Sequence, residues 1–318
     1  MDICEIEPFE VFDTRFDRCV KRSARLQRLY QGCLWAEGPV YVPAGRYLIW
    51  SDIPNDRMLR WDETTGAVGV FRQPAGYSNG NVLDAAGRLV SCEHGGRRVS
   101  RTEPDGSITV LADSYRGKRL NSPNDVVVAS DGAIWFTDPA YGIDSDYEGH
   151  KADSEIGGCH VYRVDPRTGG CDIVTDELIR PNGLAFSLDE RLLYVSDTGV
   201  TDGPAPMYVF DVSGGTLSGR RVFATCTVGC FDGFRLDESG RIWTSAGDGV
   251  HCYHPDGTQL GKIRVPEIVS NVTFGGAKRN RMFICATTSL YTVLLPVNGA
   301  PLPLHHRRPG PAARSPVS

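Results

Sequence analysis

Short apolar runs alternate with polar turns along most of the chain, and the same arrangement recurs several times. The clearest copy opens with Asn182-Gly183, continues into an apolar run and turns at Leu188–Glu190. It ends in a second apolar run that stops at Asp197. Two such runs joined by a short polar turn predict a β-hairpin. Similar hairpins begin near six positions, which are Glu37, Asn79, Asn124, Asn182, Asp232 and Asn271.

The repeat has a period of about 40–50 residues, which is typical of β-propeller blades. Each hairpin is followed by enough sequence for two more strands, as in Arg57–Trp61 and Ala67–Phe71. Six copies of four strands predict an all-β fold, a six-bladed β-propeller with four-stranded blades around a central channel. We expect the propeller to span residues 24–304, with Ala24–Tyr30 as an outer strand that closes the last blade. An N-terminal extension over 1–23 and a disordered tail over 305–318 complete the predicted organisation.

Composition and charge narrow the class of protein. The net charge of −5 provides no basic surface for nucleic acid. No apolar run reaches the roughly 18 residues of a membrane span, so no membrane partner is expected. The N-terminus does not resemble a secretory signal, and the ten cysteines show no Cys-x-x-Cys spacing. We therefore expect a cytoplasmic protein. The sequence does not indicate its oligomeric state.

Every hairpin begins with a residue whose side chain carries an oxygen. In a propeller the first strand of each blade lines the channel, so these six side chains are expected to form a ring. Asn and Asp also favour turns because of their backbone preferences, so any single one of them could be a turn residue without a role in a site. Glu37 has no such preference. Carboxylate and amide oxygens without His or Cys favour a hard cation. Ca²⁺ fits best, Mg²⁺ and Mn²⁺ are compatible, and Zn²⁺ fits less well.

Five short motifs occur in order with the blade spacing intact: Trp35-Ala-Glu-Gly-Pro39, Asn121-Ser-Pro-Asn-Asp125, Trp135-Phe-Thr-Asp-Pro139, Arg180-Pro-Asn-Gly183 and Asp232-Gly233. Together they resemble the senescence-marker-protein/gluconolactonase/luciferin-regenerating family, and its bacterial gluconolactonase branch in particular. The resemblance implies a six-bladed propeller that binds one divalent cation and hydrolyses sugar lactones. It also implies that Glu37, Asn182 and Asp232 are the metal ligands, and that Asn124 contacts the substrate or the metal's water.

The residues that recognise the sugar cannot be inferred from the resemblance. Some animal members have an arginine two residues before the asparagine that matches Asn124, and this chain has Ser122 there. The candidates for substrate binding are therefore Asn124, Asn79, Asn121, His94, Tyr141 and Asp138. For His94 an ordinary surface histidine is an equal alternative. Residues 140–158 form an insertion that is either a binding loop or a solvent-exposed surface loop without a role in binding.

The expected reaction is hydrolysis of a lactone. A cation would polarise the lactone carbonyl, and Asp232 would assist the attack of water while also binding the metal. A Gly-x-Ser-x-Gly match at Gly76–Gly80 leads into a strand of the repeat, without the helix that a serine nucleophile requires. Two alternatives stay open: a phosphotriesterase on the same propeller, and a non-enzymatic propeller that binds a ligand or a protein. The sequence does not distinguish one sugar lactone from another.

Overall fold

Six antiparallel sheets surround a central channel in the computed structural model, which describes residues 2–200 and 202–301. The first strand of each sheet lies beside the first strands of its two neighbours, so the ring is closed. The prediction of a six-bladed propeller is confirmed. The tail predicted over 305–318 lies outside the described residues.

The first three blades each contain four strands in chain order from the axis outward. Blade 1 consists of Ala36–Val42, Tyr47–Asp52, Arg57–Asp62 and Val68–Arg72. Blade 2 consists of Ser78–Leu83, Leu89–Glu93, Arg98–Thr102 and Ile108–Ala112. Blade 3 consists of Val126–Val128, Ile134–Asp138, His160–Asp165 and Gly170–Thr175. A small hairpin, Ser114–Tyr115 with Lys118–Arg119, connects blades 2 and 3.

The other three blades follow the same order, and the N-terminal segment adds strands to two of them. Blade 4 consists of Pro181–Phe186, Leu192–Asp197, Pro206–Ser213 and Thr216–Thr225. Blade 5 consists of Phe234–Leu236, Ile242–Ala246, Gly249–Tyr253 and Gln259–Arg264, with Phe9–Val11 at its outer edge. Blade 6 consists of Val269–Gly275, Arg281–Ala286, Ser289–Leu294, Gln27–Gln31 and Asp2–Ile3. The short helices are Thr14–Arg18, Ile53–Asn55 and Tyr141–Asp144.

The N-terminal strand Gln27–Gln31 pairs with Ser289–Leu294, so the first part of the chain completes the last blade as the sequence predicts. The preceding residues also pack on the propeller, because Phe9–Val11 pairs with the outer strand of blade 5. Closure of this kind leaves no long open sheet edge between the two ends of the chain.

Each of the six blade interfaces is filled by its own group of buried apolar side chains. Between blades 2 and 3, for example, Val90 and Cys92 pack with Phe136 and Tyr162. The remaining interfaces are filled in the same way by other clusters. Alternate side chains of each strand fill the space between blades. The polar side chains at the start of the inner strands therefore lie in the channel.

β-Bulges place these polar side chains. In blade 4, Pro181 pairs with Asp197 and Leu184 pairs with Val195, so the inner strand contains one extra residue. Blades 1, 2 and 6 contain a bulge at the equivalent place. A bulge re-aims the side chain of the extra residue without ending the strand. The Asn182-Gly183 step that opens the repeat is therefore part of the inner strand in blade 4.

Glycine follows the polar residue because the next blade comes very close at this point. A Cβ on Gly38 would lie 1.9 Å from the carbonyl oxygen of Asn79, and one on Gly183 would lie 2.1 Å from that of Asp232. The recurring pair of a polar residue and a glycine thus has a packing cause. Gly38, Gly80 and Gly183 admit the backbone of the following blade's polar residue, whereas Gly233 admits the Asn271 side chain.

Candidate functional site: a polar ring at one end of the channel

The six residues that begin the hairpins gather at one end of the channel, and together we call them the ring. Its members are Glu37, Asn79, Asn124, Asn182, Asp232 and Asn271. Five are buried, whereas Asp232 keeps partial exposure to the channel. Sequence positions as distant as Glu37 and Asn271 are in direct contact, since the Asn271 Nδ2 donates to Glu37 Oε2 at 2.9 Å.

Hydrogen bonds connect the amide members of the ring from one blade to the next. Asn79 Nδ2 donates to Asn124 Oδ1 at 2.6 Å, and Asn124 Nδ2 donates to Asn182 Oδ1 at 2.6 Å. The Asn182 amide is also close enough to Asp232 to lower the pKa of that carboxyl, against the larger effect of burial. These bonds fix the orientation of Asn182, whose oxygen keeps one lone pair free for a further partner.

The ring contains two carboxylates, the buried Glu37 and the partly exposed Asp232, and the negative charge of Glu37 acts on Asp232. Burial raises the pKa of Glu37 to about 7, against hydrogen bonds from Asn271 and from the Gly38 backbone. Burial also raises the pKa of Asp232 well above its ordinary value, and the charge of Glu37 raises it further. Within residues 2–200 and 202–301, neither carboxylate forms a salt bridge with Lys, Arg or His. Charges buried in this way need a cation or a proton.

The donor set therefore fits a divalent cation. Glu37 and Asp232 supply two negative charges, and Asn182 supplies a neutral amide oxygen, which are the ligand types of a hard metal ion. The described part of the chain has no cluster of three or more Asp, Glu, His or Cys residues suited to a metal. A metal at the ring would accordingly rely on amide oxygens and water for its remaining positions.

His94 lies beside the ring and is fully buried. Its Nε2 is 3.1 Å from Asn124 Oδ1, and its Nδ1 is 3.2 Å from the carbonyl oxygen of Glu148. Both ring nitrogens therefore face polar groups inside the fold, and burial lowers the pKa of His94 to about 4. The imidazole is thus neutral at pH 7, and its single N–H donates to only one of these two oxygens.

Asp138 and Asn121 lie outside the ring, and their side chains hydrogen-bond the backbone. The two carboxylate oxygens of Asp138 accept the backbone N–H groups of Asn121 and Ser122, both at 2.8 Å. The Asn121 Nδ2 donates to the carbonyl oxygens of Asp138 and Gly158. These contacts fix the segment that leads into Asn124.

The same bracing occurs in two other blades. Asp197 accepts from the backbone of Ile179 and Arg180, and Asp52 accepts from the backbone of Leu34. An aspartate at the end of the second strand is therefore a structural part of the repeat. Asp138 belongs to this series, since each of its carboxylate oxygens accepts a backbone N–H and its side chain is fully buried.

The insertion over 140–158 folds down beside the ring. Its short helix begins with Tyr141, whose hydroxyl hydrogen-bonds Thr198 and whose ring lies 4.9 Å below the Arg180 guanidinium. Burial raises the pKa of Tyr141 to about 12, with a contribution from the charge of Asp232. A Cβ on Gly142 would lie 2.5 Å from His94 Cβ, so the insertion packs directly on the residues that support the ring.

Glu148 is a candidate that the sequence does not single out. It lies in the insertion, with its Oε2 4.0 Å from His94 Nδ1 and its side chain 22% exposed. Burial raises the pKa of Glu148 to about 7, and its charge raises the pKa of both Glu37 and Asp232. Several acidic residues occur in the insertion, and only the fold shows which of them reaches the channel.

The fold and the ring define a class of six-bladed propellers with an oxygen-lined channel site. Residues 35–288 match the model of the SMP-30/Gluconolactonase/LRE-like region, so the chain belongs to this family. It is an enzyme of the lactonase type. Within the described residues, no helix is long and apolar enough to cross a membrane.

Three relatives illustrate the similarity. A gluconolactonase of Zymomonas mobilis is 32% identical over 305 residues, which cover 89% of this chain and 84% of the relative. The pentonolactonase XacC of Haloferax volcanii is 29% identical over 79% of this chain and 81% of its own length. A solved gluconolactonase structure from Xanthomonas campestris superposes with a TM-score of 0.87 at 41% identity, covering 92% of this chain and 96% of that one.

Proposed function

We propose that the protein is a metal-dependent sugar lactonase of the gluconolactonase kind. The names of the relatives support a sugar lactone as substrate, since they include a gluconolactonase and a pentonolactonase. The observation that carries the metal dependence is the pair of ring carboxylates, the buried Glu37 and the partly exposed Asp232, which have no basic partner within the described residues. Two like charges with so little solvent around them are costly unless a cation lies between or beside them.

Glu37, Asn182 and Asp232 would hold one divalent cation, with Ca²⁺ favoured by the all-oxygen donor set. When bound, such an ion supplies electrostatic stabilisation of the negative charge that develops on a lactone carbonyl oxygen. Glu37 is held by Asn271 and by the Gly38 backbone, so its carboxylate is pre-oriented toward the channel. Asn182 is held by Asn124 in the same manner.

Asp232 is the residue that we assign to proton transfer. Among the ring carboxylates it is the more exposed to the channel, so water can reach it. Its carboxylate accepts a proton from the attacking water while it also binds the cation. Tyr141 and Glu148 lie on the insertion and interact electrostatically with Asp232, so we assign them to contacts with the hydroxyl groups of a sugar.

A direct assay tests this proposal. Purified protein is stripped with a chelator, and hydrolysis of glucono-, xylono- and galactono-lactones is followed with a pH indicator before and after Ca²⁺, Mg²⁺, Mn²⁺ or Zn²⁺ is restored. We expect activity to vanish with the chelator and to return with Ca²⁺. Full activity after complete metal removal would refute the metal dependence. An organophosphate triester in the same assay tests the phosphotriesterase alternative.

A further inference from the structure

The inner strands continue past the ring and line a chamber of about 310 Å³ at the opposite end of the channel. Strands rise about 3.3 Å per residue, so residues three positions past the ring lie roughly 10 Å from it. All six blades contribute to the lining, with Val40, Val82, Val127, Phe186, Leu236 and Phe274 among the apolar residues. The chamber is therefore on the axis of the propeller and is mainly apolar.

One ion pair lies between the ring and this chamber. Arg235 Nη1 is 3.3 Å from Asp125 Oδ2 and also donates to the carbonyl oxygen of Phe234 at 2.7 Å. Asp125 directly follows the ring residue Asn124, and Arg235 comes three residues after Asp232. The pair joins the inner strands of blades 3 and 5, and it separates the polar end of the channel from the apolar end.

Arg235 has hydrogen-bonding capacity left over. It lines the chamber, and its Nη2 is buried without an acceptor among the described residues. The other charged groups at the chamber each have a partner. Arg279 donates to the carbonyl oxygen of Gly299, Glu190 accepts from Ser130, and Glu238 accepts from Asn298. A buried guanidinium N–H that lacks an acceptor is unfavourable, so it favours an anionic ligand at this place.

We propose that the chamber is a second binding site, distinct from the ring, for a small amphipathic anion of the monocarboxylate type. The carboxylate accepts from Arg235, and the apolar chain packs along Val82, Val127 and Phe274. The volume is at the lower end of the range for small-molecule sites, which suits one unbranched chain of about eight carbons. The site requires no lactonase activity and goes beyond the proposed function.

Calorimetric titration of the full-length protein with octanoate and with 1-octanol tests the proposal. We expect one octanoate per chain, bound at least about tenfold more tightly than the alcohol. Arg235→Gln should weaken octanoate by about tenfold or more and leave octanol unchanged. Val82→Phe fills the chamber from a half-buried lining position and should abolish both. Arg191→Gln, at an exposed arginine whose side chain is 83% accessible, serves as the control.

Several results would overturn the proposal. These are no octanoate binding at millimolar concentration, equal affinity for octanoate and octanol, or unchanged binding in Val82→Phe. Displacement of octanoate by saturating lactone would assign it to the ring instead. Arg235→Gln leaves Asp125 without its partner, so thermal denaturation must first show that this variant folds. If it does not, Val82→Phe and the comparison of acid with alcohol decide.

Discussion

At the scale of single residues, the properties of the ring follow from where its charges lie. Glu37 and Asp232 have amide side chains as neighbours. Within the described residues no basic side chain forms a salt bridge with either carboxylate. Each amide is oriented by its neighbour on the next blade. The chemistry of the site is thus carried by a few side chains whose partners come from different blades.

Replacing Asp232 by alanine removes one charge and one ligand of the proposed metal site. We expect metal binding to be lost and kcat/KM to fall by at least about 100-fold, equivalent to about 2.7 kcal/mol. Inductively coupled plasma analysis and the lactone assay measure both effects, and circular dichroism checks the fold. Asp153→Ala, at an exposed aspartate of the insertion, is the matched control. Retention of full metal occupancy and turnover would show that the ligand assignment is wrong.

Asn124 has both halves of its amide engaged, by Asn79 on one side and Asn182 on the other. The structure therefore favours a positioning role over the substrate contact that the sequence suggests. Groups that orient a metal ligand typically contribute 10–100-fold to metal affinity or activity. We expect Asn124→Ala to lower Ca²⁺ affinity and kcat/KM together, by about tenfold each. A fall in kcat/KM with unchanged Ca²⁺ affinity in a calcium titration would restore the substrate role.

The neutral His94 predicts a pH dependence of stability. Its pKa is about 4 in the folded protein, against an ordinary value of 6.5, so the unfolded chain binds more protons between these values. The free energy of unfolding should therefore decrease as pH falls from 6.5 to 4, by up to about 3 kcal/mol from this group. Urea unfolding of wild type and His94→Gln in chelator measures the difference.

Four carboxyl groups with raised pKa values, Glu37, Asp138, Glu148 and Asp232, act in the opposite direction over this range. For this reason the comparison uses the difference between the two proteins and not the slope of either alone. Glu148 faces the imidazole at 4.0 Å, so Glu148→Gln is included to separate its contribution. Parallel pH profiles for wild type and His94→Gln would contradict the prediction.

At the scale of the elements, the bulged inner strand and its glycine set the geometry of the ring. Gly38 has a φ of 50° and no space for a Cβ, whereas Gly132 has a φ of 86° and open space around it. Both positions penalise alanine for its backbone conformation, but only Gly38 adds a clash with the next blade.

Alanine at Gly38 is therefore expected to be more damaging than alanine at Gly132. We expect Gly132→Ala to cost about 1–2 kcal/mol of unfolding free energy. Gly38→Ala should cost at least about 2 kcal/mol more, because the Asn79 backbone must move. Denaturant unfolding of both variants measures this difference, and the lactone assay shows whether the ring is displaced. Equal stability of the two variants would mean that the close approach of blades 1 and 2 adds nothing to the loss of unfolding free energy at Gly38.

At the scale of the whole molecule, the ring of blades is held closed by the N-terminal segment. Leu26 is fully buried in the cluster that joins blades 5 and 6, just before the strand that completes blade 6. Truncation of a buried leucine removes apolar contacts that the surroundings replace only in part.

Leu26→Ala is expected to lower the free energy of unfolding by about 2–5 kcal/mol. Leu34→Ala, at a leucine that is 48% exposed, should change it by less than about 1 kcal/mol. Thermal and urea unfolding measure both variants. If Leu26→Ala is as stable as Leu34→Ala, the N-terminal segment does not contribute to closure in the way proposed.

The sequence by itself determined the repeat and the members of the ring. Strand alternation and turn residues are local signals, so six hairpins are visible without any tertiary information. Because equivalent positions of a repeat lie at equal height around an axis, the first residues of the hairpins had to converge, as Glu37 and Asn271 do. The cytoplasmic location and the native metal stay predictions of the sequence.

Only the tertiary structure decided how the ring is supported. Asp138 and Asn121 looked like site residues, yet their atoms hold the backbone before Asn124. Glu148 reaches the channel because the insertion folds back onto His94, a contact between positions 54 residues apart. Arg235 meets Asp125 from a strand 110 residues away. Such contacts depend on the closing of six blades around one axis, and no local pattern of the chain encodes them.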